Sequence, residues 1–203
     1  MAHKYTASDY LFQFVTIMAG VLIAMLANGM VERSKDRELV ATARATILRE
    51  IQDNLKELEG LPQSVAASTK DVENGLTLAN ELLKTGKSSV RSVQLNFDLA
   101  TLHQSSWQSA ERTGALAHMP YEEVKEYSEL YDMQELFAAQ QRKAVDLVAS
   151  GSALIASSFD PTAAEKEDLW RFREQLMFLQ SNLLITEQLG KQLVDGYREF
   201  LQK

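Results

Sequence analysis

Residues 10–31 read YLFQFVTIMAGVLIAMLANGMV, a run of 22 residues without a single charge, bracketed by Asp9 and Glu32. As a helix it rises about 33 Å, against about 30 Å for the hydrocarbon core of a bilayer. Tyr10 and Phe12 stand at one end, where aromatic rings favour the membrane interface. A cleaved signal peptide would carry a basic leader and a small-x-small cleavage site. Here Lys4 is the only Lys or Arg ahead of the run, and the run passes directly into a charged helical pattern. An uncharged run of this length is also rare in the core of a soluble fold. The segment is therefore expected to be a retained transmembrane helix embedded in the lipid bilayer. It divides the chain into an N-terminal tail (1–9), an anchor (10–31) and a water-soluble domain (32–203).

Within the anchor, Thr16, Gly20, Ala24 and Asn28 recur every four residues and so share one helical stripe. Small side chains on a stripe let two membrane helices approach closely, and Asn28 can hydrogen-bond across such a contact, so this is the expected helix-association face. Lys4 stands on one side of the anchor, and Arg33, Lys35, Arg37, Arg44 and Arg49 on the other. The positive-inside rule then places the C-terminal domain in the cytoplasm, with the periplasm as the alternative.

Outward from the anchor the chain reads as helical throughout. Leu39, Val40, Ala43, Ile47, Ile51, Leu55 and Leu58 repeat at steps of three and four, with Arg44, Arg49, Gln52, Asp53 and Lys56 on the opposite face. No proline occurs before Pro62, so the anchor is expected to continue as one helix to about Glu59, ended by Gly60 and Pro62. A second helix is expected from Pro62 to Thr85, with Val65, Val72, Leu76, Ala79, Leu82 and Leu83 inward, Gly75 as a weak point and Gly86 as its C-cap. Val93, Leu95, Phe97 and Leu99 alternate like a strand, but Leu99, Leu102, Ser106 and Ser109 fit a helix. A lone strand would lack a partner, so this stretch is expected to be a loop followed by short helices. Met119-Pro120-Tyr121-Glu122-Glu123 opens a helix carrying Val124, Tyr127, Tyr131, Leu136, Phe137, Val145 and Val148 to about Ser157. Asp160 as N-cap and Pro161 at the first helical position start the last helix, whose stripe includes Leu169, Phe172, Leu176, Leu179, Leu183, Leu189, Leu193, Tyr197 and Phe200. The fold class is all-α: one N-terminal transmembrane helix continuing into a long helix, packed in a membrane-tethered helical bundle.

Composition narrows the function. Hydrophobic residues make up 45% and charged residues 24%, as in folded proteins, and the formal net charge is −7. An acidic domain repels phosphate backbones, which argues against nucleic acid as a partner. The chain has no cysteine, so it offers no disulfide, thiolate metal site or cysteine nucleophile. The three histidines, His3, His103 and His118, have no metal-ligand spacing, and no glycine-rich phosphate loop or nucleophile elbow occurs. No catalytic residue, cofactor or metal is expected. The most distinctive segment runs from Trp107 through Gly114 and Leu116 to Tyr121, Tyr127 and Tyr131. Trp107 is expected to close the end of the bundle, with a hydrophobic groove lined by Trp107, Tyr121, Tyr127 and Tyr131 as the alternative.

Val21-Leu22-Ile23-Ala24 with Asn28 and a charged exit, then Leu48-Arg49-Glu50-Ile51 with Asn54-Leu55, then Trp107, Gly114-x-Leu116 and Tyr131, resemble a group of bacterial single-pass membrane proteins of unknown function. The resemblance spans most of the chain in order. It implies a bacterial inner-membrane protein with this topology and brings no activity with it. Some members carry a more basic N-terminal tail, which favours the opposite orientation; this chain has Lys4 alone. The expectation is a membrane-anchored interaction protein, a scaffold or sensor without catalysis of its own, associating with itself or with a membrane protein partner. An accessory subunit of a larger complex is the second reading, and an enzyme with an unrecognised site the third.

Overall fold

A computed structural model describes residues 7–90, 93–95, 97–156 and 164–202. Among them there is no strand. The elements are α1 (Ala7–Leu58), α2 (Leu61–Thr85), α3 (Ser105–Arg112), a 3-10 turn (Ala115–His118), α4 (Tyr121–Ala156) and α5 (Lys166–Leu201). The all-helical bundle read from the periodicity is the fold.

Helix α1 runs without a break through two stretches of different character. From Leu11 to Val31 no residue is buried, so this half packs against nothing among the described residues, and it is long and apolar enough to cross a membrane. From Val40 onward one face turns inward: Val40, Ala43, Ile47, Ile51 and Leu58 are buried at helical spacing. The chain reverses at Glu59-Gly60, and Pro62 sits in the first turn of α2, where its missing N–H costs no bond. Gly86 ends α2 with φ 68°, donating its N–H to Leu82 O at 2.9 Å.

Helix α5 is the central element, packed along both α2 and α4, while α1 contacts α5, α3 and the 3-10 turn. Its inward stripe, Leu169, Phe172, Leu176, Leu179, Leu183, Leu193 and Tyr197, is buried as its spacing predicts, with Leu189 and Phe200 half-buried. On α4 the stripe is narrower than expected: Phe137 is fully buried, but Leu136 and Val145 are exposed. Helix α2 runs through Gly75, which lies buried against Leu176 of α5.

The start of α5 differs from the sequence reading. Asp160 and Pro161 lie outside the described residues, but Glu165 has extended backbone (φ −67°, ψ 148°) and the helix begins at Lys166. Glu167 and Asp168 in its first turn suit the helix dipole as well as Asp160 would have. The N-terminal helix is described from Ala7, and residues 1–6 lie outside the described region.

Candidate functional site

Between α2 and α3 the described residues 97–104 run without helix or strand. Phe97, Ala100 and Leu102 pack on the core while Leu99 is exposed, so the alternation of Val93, Leu95, Phe97 and Leu99 does not carry through and the stretch is a loop leading into α3, as expected. A loop backbone packed against helices must still pair its N–H and C=O groups. Side-chain amides supply the partners. Ala100 N–H donates to Gln141 Oε1 at 2.9 Å, and Gln141 Nε2 donates back to Ala100 O at 3.1 Å. His103 N–H donates to Asn54 Oδ1 at 2.8 Å, and Asn54 Nδ2 returns to His103 O at 2.7 Å. Each amide thus makes the paired bonds that a neighbouring strand would make. Between them, Thr101 N–H reaches Glu57 Oε1 at 3.1 Å.

The clamp extends inward. Gln134 Nε2 donates to the same His103 O at 3.0 Å, Asn54 Nδ2 donates to Gln134 Oε1 at 3.1 Å, and Tyr197 Oη donates to Gln134 Oε1 at 2.5 Å. One turn before Asn54 on α1, the buried Glu50 carboxylate accepts from four donors. Ser105 Oγ (3.0 Å) and Ser106 N–H (2.8 Å) reach one oxygen; Tyr131 Oη (2.7 Å) and Trp107 N–H (3.4 Å) reach the other.

Aromatic rings cover this network. Trp107 stacks on Tyr131 with centroids 5.3 Å apart and planes at 14°, and stands 6.2 Å from Tyr127, which in turn meets Phe200 at 5.2 Å. Trp107 is half-buried; Tyr127 and Tyr131 are buried. Tyr121 is 77% exposed and joins none of these ring contacts, so three of the four rings meet, with Phe200 joining them through Tyr127. Tyr121 is the first residue of α4, and the buried face begins only at the next turns. Gly114, at φ 78°, turns the chain from α3 into the 3-10 turn, where Leu116 is half-buried and its carbonyl accepts from Met119 N–H at 3.2 Å.

Burial, with the nearby Glu123 carboxylate second, pushes the Tyr127 hydroxyl up to about 12. Burial also raises Tyr131, reinforced by its bond to Glu50, and raises Tyr197. All three therefore serve as hydrogen-bond donors. Glu123 is itself gripped by Arg44, whose Nε and Nη2 donate to its two oxygens at 2.6 Å each. That bond holds the Glu123 carboxyl below the usual carboxylate range. Glu123, read from sequence as a helix-dipole acid, thus also ties the first turn of α4 to α1.

Chemically, both Glu50 oxygens are occupied, the tyrosines are protonated donors, and the amides are paired with backbone. The arrangement fixes this loop and the start of α3 onto α1. Among the described residues no three His, Asp or Glu side chains converge as metal ligands.

Thr16, Gly20, Ala24 and Asn28 lie on the exposed half of α1. Thr16 Oγ1 donates to Phe12 O at 2.8 Å, Asn28 has no partner among the described residues, and nothing lies within 4 Å of where a Cβ on Gly20 would stand. Sequence reasoning did not single out Gln134, Gln141 or Tyr197 as polar anchors, nor Glu50 and Asn54 as their companions. The available signal was register: Glu50 and Asn54 interrupt the apolar stripe Ile47, Ile51, Leu58, and Gln134 and Gln141 lie seven residues apart, flanking Phe137.

No protein-family model, no curated protein and no solved structure matches this chain.

Proposed function

We propose that this chain is a membrane-anchored helical interaction protein, a scaffold or sensor domain without catalysis of its own, held by residues 10–31 with the bundle on the cytoplasmic face of a bacterial inner membrane. The observation that carries the anchor is that Leu11–Val31 is apolar and unburied on every side, yet belongs to the same helix whose second half is core. Water is a poor solvent for such a surface; lipid is a good one.

The interaction half of the reading draws on α5. Trp170, Met177 and Leu184 are spaced by seven, as are Phe178 and Ile185, and all five are 47–64% exposed. They lie on the face away from the buried stripe, so α5 is apolar on two sides, and a monomer seldom exposes so much contiguous apolar surface. The proposed occupant is a second copy of the chain, with the face of Thr16, Gly20, Ala24 and Asn28 continuing the contact inside the bilayer.

The chain has no cysteine, so a single one can report on this face. Met177→Cys in native membranes should cross-link to a species twice the 22.8 kDa of the chain. A discrete adduct with another protein would favour the accessory-subunit reading. Alkaline carbonate should leave the wild-type chain in the membrane; release into the supernatant would overturn the anchor. Reporters fused after Lys203 read the orientation.

A further inference from the structure

Helix α1 leaves its apolar stretch at Val31 and enters ERSKDRE over residues 32–38. Counted along the chain, three cations and three acids cancel. Arranged in space they do not. The 3-10 turn docks on α1 and brings His118 over Arg33, Asp36, Arg37, Val40 and Arg44, and these six line an open cavity of about 390 Å³. Asp36, the one acid among them, faces His118 Nδ1 at 3.7 Å. Arg44 is committed to Glu123. Arg33 and Arg37, four residues apart and so on one helical face, have no acid partner among the described residues.

We propose that this cavity seats the phosphate of an anionic lipid headgroup, with Arg33 and Arg37 as its donors and His118 as the opposing wall. The proposal rests on residues 10–31 being the anchor. Along the helix, Arg33 lies about 3 Å and Arg37 about 9 Å beyond Val31. The headgroup layer on each face of a bilayer is about 5–8 Å thick. Helical side chains lean toward the N-terminus, which here is toward the bilayer, so both guanidiniums reach back into the layer where lipid phosphates stand. Arg44, about 20 Å beyond Val31, is out of reach and shapes the far wall. Guanidinium groups present paired N–H donors that suit phosphate oxygens. The cations are exposed, so a free anion at this seat competes with water; a lipid phosphate is held at the right depth by its own acyl chains.

The test uses the full chain in vesicles of phosphatidylcholine mixed with phosphatidylglycerol, then mild detergent and native mass spectrometry to read retained phosphatidylglycerol. Arg33→Gln and Arg37→Gln should each lower retention about fivefold, equivalent to about 1 kcal/mol for losing a hydrogen bond to the phosphate. Lys35→Gln, at the same depth but outside the cavity, removes only a solvent-screened charge and should change it less than about twofold. An equal loss with Lys35→Gln would mean diffuse attraction and overturn the seat. His118→Ala should lower retention through loss of the opposing wall, and unchanged retention there would also count against the cavity. If inorganic phosphate raises the unfolding midpoint of the detergent-solubilised chain, and Arg33→Gln abolishes the rise, the seat takes a free anion and the lipid assignment is wrong. Carbonate extraction separates the two readings: a chain that stays in the membrane with retention unaltered by Arg33→Gln and Arg37→Gln loses only the seat, whereas a chain that is stripped loses the anchor and the seat together.

Discussion

Tyr131 Oη donates to Glu50 Oε1 at 2.7 Å, joining α4 to α1 across 81 residues of sequence. The other oxygen of the same carboxylate accepts from Ser105 Oγ and Ser106 N–H at the start of α3. The N-cap residue of α3, Gln104, makes no side-chain capping bond of its own. Glu50 therefore caps α3 from another helix, placing a carboxylate where the helix dipole favours one.

Glu50→Gln tests that role. The amide keeps the size but turns one acceptor into a donor facing hydroxyl and N–H groups, among them the buried Tyr131 hydroxyl. The expected loss is about 1–3 kcal/mol in urea denaturation, the cost of leaving buried polar groups unpaired. Tyr131→Phe should cost about 1 kcal/mol, and the double variant less than the sum, because the two changes remove a shared bond. Wild-type stability in Glu50→Gln would mean that the carboxylate caps nothing.

The buried hydroxyls predict an alkaline limit. An unfolded tyrosine titrates near about 10, while folded Tyr127 holds its proton to about 12. Between those values the unfolded chain binds fewer protons than the folded one, so stability falls as pH rises. The contribution is fully present below about pH 10 and is lost on passing through pH 10–12. Tyr131 and Tyr197 are shifted in the same direction and should steepen the fall. Urea midpoints measured across this range should drop, and Tyr131→Phe should flatten the slope. The opposite sign holds for Glu123, whose lowered value means that stability is lost as acid protonates it. A midpoint that is level above pH 10 would contradict the burial of these phenols.

Much of this fold was legible because apolar periodicity over long windows reports which face of a helix is buried. The single helix read from the anchor to about Glu59 is α1, Ala7–Leu58. The loop before α3 was legible, but what holds it was not, because its backbone partners are side chains of Asn54 and Gln141, distant in sequence and ordinary in composition. Glu50, Asn54, Trp107 and Tyr131 meet at the clamp, which periodicity alone could not have assembled. The start of α5 was misplaced because a local Asp-Pro signal speaks only for propensity, and Ala164 and Glu165, just ahead of Lys166, are not helical. Tyr121 was grouped with the buried rings by residue type, although its position at the first residue of α4 leaves it in solvent.

Glycine substitutions should follow packing rather than propensity. Ala is favoured over Gly by about 1 kcal/mol inside a helix. At Gly190 an added Cβ would overlap Leu61 Cδ2 and stand 3.2 Å from Phe137 Cε2, and overpacking costs about 1–3 kcal/mol. Gly190→Ala should therefore destabilise. Gly75→Ala meets Leu176 Cδ1 at 2.8 Å, the end of a side chain that can turn away, and should cost less. Gly29→Ala meets nothing within 4 Å and should cost nothing. Thermal unfolding of the three variants in detergent should rank Gly190 below Gly75 below Gly29; any other order would mean that α5 does not approach α2 as described.

The last prediction concerns the anchor face of Thr16, Gly20, Ala24 and Asn28. Lipid tails offer no hydrophobic drive for helices to associate, so contact depends on close backbone approach and on hydrogen bonds across it. Thr16 has already spent its hydroxyl proton on Phe12 O, which leaves Asn28 as the polar group in need of a partner. Large side chains surround the stripe, with Val21, Leu22 and Ile23 beside Gly20. An interhelical hydrogen bond in a membrane contributes roughly 0.6–2 kcal/mol, so the effect should be measurable and modest. Gly20→Ile blocks the approach and should weaken association of the full chain in mild detergent, read by cross-linking or sedimentation. Val21→Ile, one residue off the stripe, should leave it unchanged. Because the α5 face could hold two copies together by itself, the comparison is repeated with Met177 and Leu184 changed to Ser, which removes that contact without touching the core. If Gly20→Ile still has no effect in that background while the copies remain associated, the small residues are only what membrane helices commonly contain, and self-association lies elsewhere.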